Sequence, residues 1–363
     1  MYDINLCKAE VIEIIDSYED VTFLKVIDTD EDICKAVNYD MITGKISIGD
    51  QIVINTTAVQ LSLGTGGYHF VLLNLDNGFQ KKDIAVDENI SAVESKQNGH
   101  IMKMRYTPLQ LRTLSAEEED SPYYDKIKKF QSLSNLPVII IPLHSLLAPL
   151  VICHKHMYPD KKIVYIMSEG GSLALPFSNL VRKLKADNYL DKTITIGNAF
   201  GGDFEAVNIF TGLITASEVA DADLIVVGIG PGIVGTSTKY GFSGVENSFV
   251  EKAVRTLGGK SIIVPRISFA DKRKRHYGIS HHTLTMLQDL ITDPVEISFP
   301  DNEYIKEQVY SEKIIDKHDV YFYNIDEIKK ILQDSSFRFN SMGRGFGDDP
   351  LFFLTAGLAV YRT

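Results

Sequence analysis

Along roughly the first hundred residues, apolar and polar positions alternate in short runs; beyond them, longer apolar runs alternate with helical stripes. Ala9 to Ile15 alternates, Ser17 to Asp20 reads as a turn, and Val21 to Ile27 alternates again, which predicts a hairpin. Ile46 to Ile54 (with Gly49-Asp50 as its turn), Tyr68 to Leu75 and His100 to Tyr106 bring the expected set to about six strands. Short strands, frequent turns and no helical period predict a small all-β barrel or sandwich. Gln80 to Asn98 is polar and charged and reads as a mobile loop. Ser115 to Tyr124 carries the acidic run Glu117 to Asp120 and then Pro122. That break divides the chain into a β-barrel-like domain, residues 1–114, and an α/β ligand-binding domain, residues 115–363.

In the second part the β-branched runs Val138–Ile141, Ile163–Met167, Thr193–Ile196, Leu224–Val227 and Ser261–Val264 predict strands. A parallel strand buried on both faces shows such an uninterrupted apolar run. Helices are expected between them, over Leu173 to Leu184, along the stripe from Ala206 through Phe210 and Leu213 to Ser217, and over Val245 to Leu257 before Gly258-Gly259. Val295 to Phe299 adds a strand and Ile325 to Leu332 a helix. Repeated βα units predict a mostly parallel, Rossmann-like sheet with helices on both faces.

In such a sheet every strand delivers its C-terminal end to one edge, where open α/β sheets bind their ligands. The run Leu224 to Val227 ends in Gly228, Gly230, Gly232 and Gly235, followed by Thr236, Ser237 and Thr238. This reads as an anion-binding loop or, more plainly, as a structural turn. It matches GxGxxG formally, but no helix opens at Gly235 and no acidic residue ends the next strand, so a dinucleotide fingerprint is not supported. The other strand ends lead to His144, to Glu169, to Asn198 with Gly202 and Asp203, and to Arg266, Asp271, His276, His281 and His282. His144 and Asp203 are the candidate proton carriers. Glu169, Asn198, Gly202, Gly230, Gly232, Thr236, Ser237, Arg266, Asp271, His276 and His281 are the candidate ligand-binding residues. The plainer alternatives stay open: His144 as a hydrogen-bonded histidine beside the core, and Asp203 as a helix N-cap. With Glu205, Asp203 also has the spacing to hold a hard cation. His281 and His282 are adjacent, so only one is expected to enter the cleft, and no metal ligand set is assigned.

Composition narrows the function classes. The formal net charge is −11 and the pI about 5.3, which weighs against nucleic-acid binding because phosphate neutralisation needs clustered Lys and Arg. Cys7, Cys34 and Cys153 are widely spaced and odd in number, which disfavours a disulfide framework and fits a reducing, cytoplasmic setting. No apolar run approaches the roughly 20 residues of a membrane span, and the first residues do not form a secretory signal.

The strings NTTAVQLSLGTGGYHFV, GHIMKMRYTPLQ, AFGGDFEAVN, GIGPGIVGTSTKYGFSG, RISFADKRKRHYGISHHT and SMGRGFGDDPLFF resemble a bacterial family known as domain-of-unknown-function family 3866. The resemblance spans nearly the whole chain and implies neither a substrate nor catalytic residues. The residues themselves lead to the expectation of an enzyme acting on a small anionic metabolite, phosphorylated ones included, at the C-terminal edge of the sheet. The glycine loop and helix N-termini would hold the anion and Arg266 would pair with it. No cofactor is assigned, and a homo-oligomer is compatible with the sequence. The rivals are a non-catalytic ligand sensor, with the β domain as its interaction surface, and an OB-like binder of single-stranded nucleic acid.

Overall fold

The computed structural model describes residues 4–63, 65–76 and 99–363; the expected loop from Gln80 to Asn98 lies outside them. The chain divides into two compact units, Met1–Asn98 with Met104–Leu111, and Gly99–Lys103 with Arg112–Thr363.

The first unit is a closed barrel of five strands: β1 (Leu6–Tyr18), β2 (Val21–Asp28), β3 (Ile33–Tyr39), β4 (Gln51–Asn55) and β5 (Tyr68–Asn74). Its order is β1-β2-β3-β5-β4, antiparallel except where β3 meets β5. Alternation sends Val11, Leu24, Val26, Ala36, Ile52 and Ile54 inward, all fully buried. Two register shifts in β1, between Val11 and Glu13 and between Ile14 and Asp16, bend that long strand so the barrel closes. The strand expected from Ile46 begins only at Gln51. Of the segment His100 to Tyr106, only Ile101–Lys103 is strand, and it belongs to the larger unit.

The main sheet of the second unit has eight strands: β6 (Pro137–Ile141), β7 (Ile163–Ser168), β8 (Lys192–Ile196), β9 (Phe204–Ala206), β10 (Leu224–Ile229), β11 (Lys260–Ile263), β12 (Glu296–Pro300) and β13 (Asp319–Tyr323). They form one fully parallel sheet in the order β9-β8-β7-β10-β6-β11-β12-β13. Ile139 and Ile141 of β6 face one core, with α1 (Leu147–Met157) and α2 (Asn179–Ala186). Val138 and Ile140 face the other, with α3 (Ile209–Glu218) and α4 (Glu246–Thr256). Both faces are therefore apolar, which explains the unbroken runs in the sequence. Downstream follow α5 (His281–Thr285), α6 (Glu303–Ser311), α7 (Asp326–Asp334) and α8 (Pro350–Leu358). The sheet order reverses around β6: the chain first builds outward to β9, returns to insert β10, then builds the other way from β11. The carboxyl ends of β10, β6 and β11 thus flank the switch in strand order, where α/β sheets open a crevice.

Candidate functional site

β11 ends at Ile263, and the chain then places Arg266 beside the switch point, immediately before a two-strand ribbon of Ile267–Ser268 with Gly278–Ile279. Arg266 is only 4% exposed. Its Nη2 donates to Asp271 Oδ2 at 3.0 Å. Arg273 grips the same carboxylate with two bonds, Nε to Oδ1 at 2.9 Å and Nη2 to Oδ2 at 2.8 Å. Arg344 stands 3.9 Å from Asp271 Oδ2 and 3.4 Å from Asp349 Oδ2, which also accepts from Ser268 Oγ at 2.5 Å. Three guanidiniums thus converge on two carboxylates. Arg273 above all holds the Asp271 carboxyl well below the usual carboxylate range. Burial lowers the Arg266 guanidinium to about 10, which leaves it a cation at neutral pH. Donor capacity remains: Arg266 Nε, Arg275 Nε, and Arg344 Nε and Nη2 are buried without a hydrogen-bond partner among the described residues.

Beside this cluster the rings of His276, His281 and His282 meet, with centroids 4.3 to 4.9 Å apart. Of the adjacent pair, His282 lines the small cleft described below, and the ring of His281 packs against it. α5 starts at His281, so both histidines sit in its first turn, where side chains fan about the helix end. Ser280 caps that turn, its Oγ accepting from His282 N and sharing a 2.7 Å hydrogen bond with His276 Nδ1. Phe242 stacks flat on His282, 3.9 Å between ring centres. His276 and His282 are each pushed down to about 3, by burial first; Arg266 adds to it in both, and His281 in the second. All three rings are therefore neutral near pH 7. A small cleft between Pro142, Ile233, Phe242 and Met286 opens onto Arg266 and His282.

The glycine loop leads into this cleft. A side chain at Gly235 would come within 3.1 Å of the His282 ring, so glycine permits that approach. Gly230 plays another part: its carbonyl lies against Gly171, and the next carbonyl, of Pro231, accepts from Ser172 N at 2.7 Å. Gly232 is exposed, with φ at +97°. Thr236 and Ser237 are exposed, and Thr236 Oγ1 pairs with Thr238 Oγ1 at 2.8 Å.

The remaining candidates are scattered. Glu169 accepts from Asn198 N at 2.6 Å and Nδ2 at 2.8 Å, which joins the β7 and β8 ends. His144 has both ring nitrogens engaged, Nε2 with Ser178 Oγ at 2.6 Å and Nδ1 with Tyr165 Oη at 3.2 Å, and burial lowers it to about 4. Its ring bridges β7 and the N-cap of α2. Gly202 and Asp203 run back along β8 toward its start. Asp203 accepts from Thr193 N at 2.7 Å and from Lys185, in the last turn of α2, at 2.8 Å. Asp203 therefore lies toward the N-terminal edge, away from the switch point. Nor is it an N-cap: Asn208 caps α3 through a capping box with Thr211. Glu205 does not share a cation with Asp203, since its carboxylate pairs with the buried Lys103.

Phe242 has no assigned role in the sequence reading, and Arg344 and Asp349 fall in a glycine-rich patch, Ser341 to Gly345 with Asp348 to Pro350, that reads as tight turns or as a domain interface over the cleft. Arg344 stands there between Gly343 and Gly345, where Asn340–Ser341 and Arg344–Gly345 form a two-strand ribbon. Among the described residues no helix is long and apolar enough to cross a membrane. No curated protein matches the chain. Residues 35–360 match the family described as "Protein of unknown function (DUF3866)", and the chain belongs to that family.

Proposed function

We propose that the cleft at the switch point binds a small anionic metabolite, phosphorylated ones included, and that the protein is an enzyme acting on it. The observation that carries this reading is Arg266: a buried guanidinium with a spare donor, lining a cleft and backed by Arg344, in a protein of net charge −11. A cation kept at such a depth is costly unless it is paired, and an anion would take the donors that Asp271 and Asp349 leave over. The neutral imidazoles beside it add polar ring nitrogens to the cleft's edge without adding charge. Free cysteines at positions 7, 34 and 153 fit a reducing cytoplasmic setting.

Calorimetric titration and thermal shift with inorganic phosphate and a panel of phosphorylated and carboxylated metabolites test the reading. An anion at about 100 times its Kd should stabilise the protein by about 2.7 kcal/mol. Arg344→Gln, which spares the buried Arg266–Asp271 pair, should weaken that anion at least about tenfold, as expected for one lost charge-assisted bond. No shift with any anion in folded protein, or unchanged affinity in the variant, would overturn it. Binding without turnover of the bound compound would favour a ligand sensor over an enzyme.

A further inference from the structure

We propose that His276, His281 and His282 form a binding site for a divalent transition metal of the zinc type. One nitrogen from each ring comes together, all within 4.8 Å of one another. In a tetrahedral site with metal–nitrogen bonds of about 2.0–2.1 Å, donors lie about 3.3 Å apart, so the rings need only draw inward. Nε2 of His281 and Nε2 of His282 are buried with no hydrogen-bond partner among the described residues. Two buried ring nitrogens without partners in one place are costly for a protein and suited to a metal. The third ring is already held in place: its Nδ1 is tied to Ser280 Oγ, a bond of the kind by which outer partners fix metal-binding histidines. Phe242 fixes His282 by stacking, and Gly235 lets the loop close over it.

The charge around the site defines what else it binds. Three neutral histidines leave a divalent ion its full charge, and Arg266, Arg273 and Arg275 stand nearby. Such an ion calls for an anionic or hydroxide ligand in the open fourth position. The identity of that ligand as an oxygen of the metabolite rests on the function proposed above; the three-histidine site does not.

The test uses the full-length protein, stripped with a chelator and titrated with Zn²⁺ in phosphate-free buffer, then with Co²⁺ followed by its visible absorption. One equivalent of Zn²⁺ should bind per chain, and Co²⁺ should give the spectrum of a nitrogen-ligated tetrahedral ion. Zn²⁺ should also protect His276, His281 and His282 from modification by diethyl pyrocarbonate, mapped by mass spectrometry. In a folded His281→Ala/His282→Ala variant that equivalent should be lost or weakened by more than about 100-fold, beyond the range seen for outer partners. If the variant does not fold, the cobalt spectrum and the protection map of the unaltered protein decide. Absence of binding, or an equivalent that leaves the three histidines unprotected or survives in the variant, would overturn the site. Phosphate titration of the metal-free protein is the separate arm. Zn²⁺ bound at the histidines without phosphate binding would refute only the anion reading.

Discussion

His276 and His282 are both held at about 3 where an ordinary histidine titrates near 6.5. The sign follows from linkage. Between pH 6.5 and about 3 the unfolded chain binds protons that the folded chain refuses, so stability rises with pH across that window. The contribution is complete above pH 6.5 and lost progressively below it. Urea unfolding at pH 7.5 and pH 5 should show a larger loss for the unaltered protein than for a His276→Asn/His282→Asn variant. His144 and His154, each lowered to about 4, add to both slopes and cancel in the difference. Equal losses would mean that the two rings titrate normally in the folded state. The sequence held all three histidines of this cluster but not their convergence. Helical spacing sets adjacent side chains about 100° apart, and that rule describes a helix interior. His281 and His282 are the first two residues of α5, and His276 returns to them across Gly278, whose φ is +70°. Their meeting is a product of chain reversal, which periodicity does not encode.

Between elements, close approach of backbones decides what a glycine does. A Cβ on Gly230 would lie 2.4 Å from Ser172 O and 3.1 Å from Ser172 N, both main-chain atoms that cannot rotate away. Gly230→Ala should therefore cost on the order of 1–3 kcal/mol, the usual range for overpacking, read by thermal unfolding. Asp203→Asn should stay within about 1 kcal/mol, since Asn can still accept from Thr193 and the lost pair with Lys185 is partly solvated. It should also leave phosphate binding unchanged. A large stability loss or weakened phosphate binding in Asp203→Asn would mean that its carboxylate reaches the cleft after all. Strands were the most legible elements, because β-branched runs bounded by glycine have few other readings. The start of α3 was not, because Phe204–Ala206 pairs with β8 as an edge strand and delays the helix to Asn208. Three residues of strand leave no periodic trace, so the glycines before Asp203 looked like a helix start.

Over the whole molecule, the change from period-two alternation to apolar runs marked the passage from barrel to parallel sheet. The expectation of a barrel followed by a Rossmann-like domain matches the structure. Closure itself was not readable, since it depends on β5 pairing with β3 as well as β4, contacts between strands far apart in sequence. The order β1-β2-β3-β5-β4 closes a five-stranded barrel, and in OB-folds, which are also five-stranded barrels, the face of strands 2 and 3 binds oligonucleotides. Such a platform needs accessible rings and a basic groove. Here Leu24, Val26 and Ala36 point inward, so Val21, Phe23 and Val37 lie on the outer face, yet they are 0%, 7% and 0% exposed. Phe23 spends its ring on Tyr68, edge to face at 5.3 Å, and the chain as a whole carries −11. Counterion release, the main source of affinity for single strands, needs several free cations along one path; here Lys25 and Lys35 sit opposite each other on β2 and β3, Lys25 already paired with Glu13 and Lys35 over the Tyr68 ring. In an anisotropy titration with a labelled oligothymidylate at low salt, the full-length protein should show no saturable binding at micromolar concentrations. Saturable binding that weakens with salt at a slope of about −0.7 per neutralised phosphate would overturn this, because such a slope arises only where several cations line one path for the strand.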